Sequence, residues 1–180
     1  VRMLGGRVTV EKQRVLDVGA GRGGDLEKII HANVRQSIGI DRDAHGLFYA
    51  TDSSVTRYNN IMKRTPKKTP MKFIHMDMGW PLDVSTQERI LGEMSAANKA
   101  AIAREFSNKQ QFDGINMQFM IHYLFQSDEI FNNMCANINR YLKAGGYVIV
   151  TTFDANRVKQ FLGGKKSHTI TYEDADTGER

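Results

Sequence analysis

The sequence predicts an α/β fold, a mainly parallel sheet doubly wound by helices on both faces. Three observations predict it. Short apolar runs alternate with segments of helical periodicity. The first run ends in a glycine-rich turn that opens onto a helix, Asp17-Val18-Gly19-Ala20-Gly21-Arg22-Gly23-Gly24-Asp25. The next two runs end at or just before an acid, Asp41 and Asp77. Strands buried on both faces read as continuous apolar runs, and ligands of such sheets bind outside the strands' carboxyl ends.

The elements follow in chain order. Val15 to Val18 reads as a buried strand that stops at Gly19. Asp25 to Ala32 reads as a helix, with Asp25 as N-cap and Leu26, Ile29 and Ile30 on one side. Ser37 to Asp41 is a second strand. Ala44 to Met62 carries Leu47, Val55, Tyr58 and Met62 at near-helical spacing. A basic loop over 63–71 follows, with Lys63, Arg64, Lys67 and Lys68 interrupted by Pro66 and Pro70. Lys72 to Met76 is a third strand. Val84 to Phe106 is Ala-rich and helical, an elaboration over 84–110. Gly114 to Phe119 is a fourth strand. Ser127 to Leu142 is the clearest helix, with Ile130, Phe131, Met134, Cys135, Ile138 and Leu142 on one apolar face, acids in its first turn and Gly145 as its stop. Tyr147 to Thr152 is a buried fifth strand and Asn156 to Leu162 a short helix. Ser167 to Tyr172 alternates weakly, a partial strand before a polar tail over 166–180. The whole reads as one domain over 1–180 with its core in 14–165.

Composition sets the bounds. With 180 residues, 41% hydrophobic and 25% charged, the chain can bury a sizeable core, which excludes global disorder. No apolar run is long enough to span a bilayer, and the opening VRMLGGRVTV lacks an apolar h-region, so no secretory signal is visible in it. The single Cys135 can form neither an internal disulfide nor a Cys-type zinc site, and no metal is expected. A net charge of +5 permits a polyanionic partner without demanding one. The basic loop is either a solvated loop or a phosphate-facing patch.

Five segments can carry chemistry. In the first, glycines let backbone amides approach a ligand, and the helix that follows aims its own amides there. Gly19, Gly21 and Gly24 formally satisfy G-x-G-x-x-G, so a dinucleotide site competes. The second is Asp41, about 20 residues past Gly19, where an acid accepts hydrogen bonds from ribose hydroxyls. It could instead cap the next helix, as could Asp43, and it does not distinguish a nicotinamide dinucleotide from S-adenosylmethionine. The third is Asp77, able to accept from an adenine amino group or to serve as a plain loop acid. His75, inside the strand, has no partner at metal spacing. The fourth is Gln118-Phe119-Met120-Ile121-His122-Tyr123-Leu124-Phe125. It is either a buried aromatic cluster or, at a strand end, a place where imidazole and phenol meet a heterocycle. The fifth, Leu142 to Thr152, is a helix end, a Gly-Gly turn and a strand.

Taken together, these segments resemble class I, Rossmann-like S-adenosylmethionine-dependent methyltransferases, and more narrowly the mRNA cap guanine-N7 methyltransferases. That family carries a D-x-G-x-G-K-G-G-D-L turn, here Asp17 to Leu26 with Arg22 for the Lys. It has acids after strands two and three, Q-F-x-x-H-Y-x-F after strand four, and L-x-x-G-G-x-x-I-x-T-T. The stretch from Thr151 to Asn156 with the basic glycines after it is most similar to large-DNA-virus, poxvirus-like capping enzymes. The resemblance implies methyl transfer from S-adenosylmethionine to guanine N7 of a GpppN RNA end. It implies cofactor contacts at Asp17, Gly19, Gly21, Asp41, Asp77, Met78, Gln118 and Phe119. It implies substrate contacts at Arg22, His122, Tyr123 and Phe125, where His122 and Tyr123 position the acceptor and no general base is required. Partners would be capped RNA and other capping domains or a stimulatory subunit. The location would be cytoplasmic, a virus factory or virion for a viral chain, and otherwise nuclear. The family's N-terminal carboxylate-binding Lys element and its later strands have no counterpart here, so a core trimmed at both ends is expected. A nicotinamide-dependent dehydrogenase shares the turn and Asp41 but leaves Gln118 to Phe125 unexplained. A non-catalytic methyltransferase-like subunit and a small-molecule methyltransferase remain the other readings.

Overall fold

A computed structural model describes residues 2–3, 6–7, 13–66, 69–107 and 110–165. Five strands form one sheet: β1 (Arg14–Val18), β2 (Gln36–Asp41), β3 (Met71–His75), β4 (Phe112–Gln118) and β5 (Leu142–Thr151). Their order is β3-β2-β1-β4-β5, and every pairing is parallel. The chain winds outward from β1 to β3, then returns to the other side of β1, so the order reverses between β1 and β4. A separate antiparallel pair joins Arg2–Met3 to Gly6–Arg7.

The central strands form where β-branched and large apolar residues dominate, with a few polar residues between them. All five residues of β1 are buried, and Leu16, Ile38, Ile40, Ile74, Ile115 and Met117 are fully so. Each such side chain contributes roughly 1.5–3 kcal/mol on burial. Leu16 and Val18 join the main core, while Val15 packs with Ile29 and Val34 on the other face, so β1 is covered on both sides.

Helix α1 spans Leu26–Ala32. Asp25 does not cap it; its carboxylate accepts from Lys28 Nζ at 2.6 Å instead. The single helix expected over 44–62 is two elements. His45–Tyr49 is a π-helical turn, and α2 is Ser54–Arg64, started by Ser53, whose hydroxyl accepts from the Thr56 amide. Lys63 and Arg64 therefore end α2, where cations complement the helix dipole, rather than lying in a loop. Lys67 and Lys68 lie outside the described residues. The helical elaboration is a pair, α3 (Val84–Leu91) and α4 (Ala96–Glu105), capped by Asp83 and Ser95.

Helix α5 is Asp128–Tyr141, N-capped by Ser127. Its buried face differs from the expected one. Met134, Asn137 and Tyr141 are buried, whereas Cys135 and Phe131 are exposed. The helix ends before Gly145, which sits at φ 76° within β5 near a register shift against β4. Strand β5 is not buried as expected: Val148, Ile149 and Val150 are each 38–40% exposed. Helix α6 (Ala155–Leu162), capped by Asp154, has no buried residue and so covers little of it. Ser167 to Tyr172 falls outside the described residues.

Candidate active site

The carboxyl ends of β1, β2, β3 and β4 surround a cavity of about 670 Å³. Gly19, Asp41, Asp77, Met78, Gln118, Phe119 and Tyr123 line it. The volume lies within the usual range for small-molecule sites. Among the described residues no cluster of metal-ligating side chains occurs, and no helix is long and apolar enough to cross a membrane.

The glycine turn forms one wall. Gly19 holds φ 76°, and a Cβ there would lie 2.7 Å from Met120 Cβ, so the backbone itself meets the segment after β4. Gly21 donates its amide to Asp41 Oδ2 at 2.8 Å. Asp41 Oδ1 accepts from the Asp43 amide at 2.8 Å. Asp41 is thus held by the turn and by its own loop, with acceptor capacity left on both oxygens.

Asp77 is fixed in a similar way. Its Oδ1 accepts from the Gly79 amide at 2.8 Å, and Arg42 Nη1 stands 3.8 Å from Oδ2. Its side chain is 11% exposed. His75 donates through Nε2 to the Arg42 carbonyl at 3.0 Å, which gives it a packing role beside the site.

Asp17 lies beneath the cavity rather than in its wall. Burial pushes its carboxyl up to about 7, against the opposing hydrogen bond from Asn116. A chain of amides runs from it across the sheet. Asn116 Nδ2 donates to Asp17 Oδ1 at 2.7 Å, Gln118 Nε2 to Asn116 Oδ1 at 2.6 Å, and Thr151 Oγ1 to Gln118 Oε1 at 2.6 Å. This chain fixes the Gln118 amide, which keeps one N–H and one lone pair spare.

Beyond Gln118 the chain turns sharply. Phe119 takes φ 51° although it is not glycine, and its ring is 56% exposed. The 3₁₀ turn Ile121–Phe125 then places aromatic groups at the rim. The His122 and Tyr123 rings lie 4.1 Å apart, and Phe153 lies 5.7 Å from His122 and 5.6 Å from Phe119. The expectation of a buried cluster is thereby excluded: Tyr123 is 58% exposed. Of the expected substrate residues only Tyr123 lines the cavity; His122 stands beside it at the rim, and Phe125 and Arg22 lie apart. Phe125 is stacked on Phe131. Arg22 is exposed and bonded to Asp52 Oδ1 at 3.1 Å, an acid it shares with Arg57.

Arg42, Trp80, Ile90, Met120 and Gln126 also line the cavity and went unread as site residues. Arg42 and Met120 adjoin motif residues and could have been found by that adjacency. Trp80 and Ile90 arrive through loop and helix placement that carries no local signal. Phe153 likewise joins the aromatic rim only through the β4–β5 pairing.

Fold neighbours include the PH0226 protein of Pyrococcus horikoshii OT3 at TM-score 0.53 and 16% identity, covering 84% of this chain and 54% of that one. A second is a DhpI–SAM–HEP complex at TM-score 0.50 and 11% identity, covering 90% and 57%. The fold shared with these neighbours is that of a doubly wound, Rossmann-like α/β domain. The model of the mRNA (guanine-N(7))-methyltransferase domain matches residues 5–173, and the chain belongs to that family. It is 41% identical over 161 residues to a probable mRNA-capping enzyme of Acanthamoeba polyphaga mimivirus, covering 89% of this chain and 14% of the relative. It is 29% identical to an mRNA cap guanine-N(7) methyltransferase of Cryptococcus neoformans, covering 82% and 18%. It is 25% identical to an African swine fever virus mRNA-capping enzyme, covering 82% and 15%. The chain therefore spans less than a fifth of the length of these relatives.

Proposed function

We propose that this chain binds S-adenosylmethionine in the cavity and presents its methyl group to guanine N7 at a capped RNA end. The observation that carries the reading is the convergence on one cavity of Gly19, Asp41, Asp77 and Met78 with Gln118, Phe119, Met120 and Tyr123. The residues fit the cofactor: two carboxylates with spare acceptor capacity sit at the ends of the adjacent strands β2 and β3, and Gly19 leaves the wall at the end of β1 without a Cβ. Asp41 would hold the ribose, Asp77 and Met78 the adenine, and the turn around Gly19 the methionine part.

The cofactor supplies a sulfonium-activated methyl group. Guanine N7 has an in-plane lone pair and no proton to lose, so the protein needs no general base. Its task is to fix the acceptor ring in line and to exclude water, for which positioning is worth up to ~7–11 kcal/mol. Tyr123 lines the cavity and the tilted His122 ring lies beside it at the rim, so these rings would hold the base. Arg22, shared with Asp52 and Arg57, would face cap phosphates at the edge, since guanidinium pairs with phosphate oxygens. Phe125 would act further along the RNA. Other capping domains or a stimulatory subunit would accompany the chain, at the place of transcript synthesis, cytoplasmic for a virus.

Tyr123→Ala tests the acceptor side. Base–aromatic contacts are worth ~1–3 kcal/mol, so N7 methylation of GpppG-ended RNA should fall about five- to a hundred-fold, in kcat as well as KM. S-adenosylhomocysteine affinity by calorimetry should hold within twofold. Intact methylation, or lost cofactor binding, would show that this segment does not serve the cap.

A further inference from the structure

The Asp77–Trp80 segment carries the adenine-side groups yet belongs to no helix or strand. Side-chain amides from two helices hold its backbone. Gln87 of α3, fully buried, accepts from the Asp77 amide at 2.7 Å and donates to the Asp77 carbonyl at 2.9 Å and the Pro81 carbonyl at 3.0 Å. Asn137 of α5, 5% exposed, donates to the Met78 carbonyl at 3.0 Å and the Trp80 carbonyl at 2.9 Å. Asn133, one turn earlier, donates to the Gly79 carbonyl at 3.1 Å. A Cβ on Gly79 would lie 2.9 Å from Ile130 Cγ2 and 3.5 Å from Leu124 Cδ2, so α5 and the turn before it rest directly on this segment.

Buried amides cost free energy unless paired, and an apolar side chain would serve the core-facing side of α5 as well as Met134 does. What the amides add is direction. A trans peptide points its C=O and N–H opposite ways. With the Asp77 carbonyl bonded to Gln87, the Met78 N–H is aimed away from Gln87, and the Met78 carbonyl is fixed by Asn137. The carboxylate of Asp77 is then set through its bond from Gly79, whose own carbonyl is held by Asn133.

We propose that Asn137, together with Gln87, is a positioning residue for the cofactor's adenine, aiming the Asp77 carboxylate and the Met78 amide so that the site selects a 6-amino purine over a 6-oxo one. The proposal rests on the cofactor reading given above. It also assigns α5 a double duty. The helix follows directly on the turn bearing His122 and Tyr123, so one rigid element sets both the acceptor side and the adenine side.

The test compares S-adenosylhomocysteine with S-inosylhomocysteine by calorimetry, on the wild-type chain and on Asn137→Leu, Gln87→Met, Asn133→Ala and Asp77→Ala. Asn137→Leu and Gln87→Met should weaken the adenosyl ligand about five- to thirty-fold. They should leave the inosyl ligand within twofold, so the ratio collapses toward that of Asp77→Ala. A merely structural role would weaken both ligands together, and that result overturns the proposal. Asn133 is only half-buried, and Asn133→Ala should lower the ratio in the same direction by a smaller factor. It decides the matter if the two buried variants do not fold. If Asp77→Ala itself leaves the ratio untouched, the adenine assignment fails. If Asp77→Ala collapses the ratio and the amide variants do not, the assignment stands and the positioning role is lost.

Discussion

Strand β1 buries an ionisable side chain near each end, Arg14 and Asp17, roughly 10 Å apart along the strand. At the amino end of the sheet, Arg14 meets Glu105 at 2.6 Å and Gln36 at 3.0 Å, and lies 4.2 Å above the Phe112 ring. Glu105 in turn gathers Lys72 and Arg104. Burial alone would raise the Glu105 carboxyl, but hydrogen bonds from Lys72, Arg104 and Arg14 outweigh it and hold the group at about 2. At the carboxyl end Asp17 receives a neutral amide, and burial takes it up to about 7. The same strand therefore neutralises charge where the chain only has to hold together. Beside the cavity it buries a carboxyl bonded to a neutral amide. Stability and binding are built at opposite ends of one sheet.

Glu105→Ala breaks the comparison most forcefully. It strands Arg14 as an uncompensated buried cation, for which about 3–5 kcal/mol of lost stability is expected in urea unfolding. S-adenosylhomocysteine affinity of the folded fraction should stay within twofold. A parallel fall in affinity would mean that the two ends are not separable.

The next largest effect lies in pH. Asp17 has a folded-state value raised from 3.8 to about 7. Its protonated form is favoured in the fold, so its contribution is full below about 3.8 and is lost as pH rises toward 7. Asp17→Asn removes that loss and should gain on the wild type by up to about 4 kcal/mol between pH 4 and 7. Glu105 works the other way. Its value falls from 4.5 to about 2, so its contribution is present above 4.5 and is lost as pH drops through 2. That acid limb amounts to about 3 kcal/mol, and Glu105→Gln should flatten it. Urea midpoints collected from pH 2 to 8 on the three proteins distinguish the limbs.

Asp41→Ala sharpens the contrast at the binding end. Charge-assisted hydrogen bonds are worth about 1.5–3 kcal/mol, so S-adenosylhomocysteine should bind roughly ten- to a hundred-fold more weakly. The urea midpoint should fall less than in Glu105→Ala, by the loss of the Gly21 and Asp43 amide bonds at a partly solvated site. Unchanged affinity in the folded variant removes Asp41 from the ribose role.

What was legible in the sequence follows the same division. The central strands announce themselves because a strand covered on both faces is mainly apolar, as Val15, Leu16 and Val18 around Asp17 and Ile38 to Ile40 are. The glycine turn and the acids at Asp41 and Asp77 are legible because strand ends are where this topology puts ligands. Strand β5 misled because Val148, Ile149 and Val150 are as apolar as a buried strand, while cover is a property of neighbours and not of the strand. The break between His45–Tyr49 and α2 was written in Ser53, a capping residue overlooked within an apparently continuous period. Asn137 read as one polar residue on a helix, since nothing local says that its amide spans to a loop some sixty residues earlier.

The reversal of strand order between β1 and β4 also bears on how the molecule comes into being. Within the first half, Arg14 and Gln36 are 22 residues apart, whereas Asp17 and Asn116 are separated by 99. Closing the longer loop costs about 1 kcal/mol more chain entropy. Pairings of that span are formed slowly relative to local ones. The cavity straddles this seam, with Gly19 and Asp41 on one bank and Gln118 and Tyr123 on the other. A ligand that fills it needs both banks, so it binds only chains in which the most distant pairing has closed, and by mass action it draws the population toward that closure.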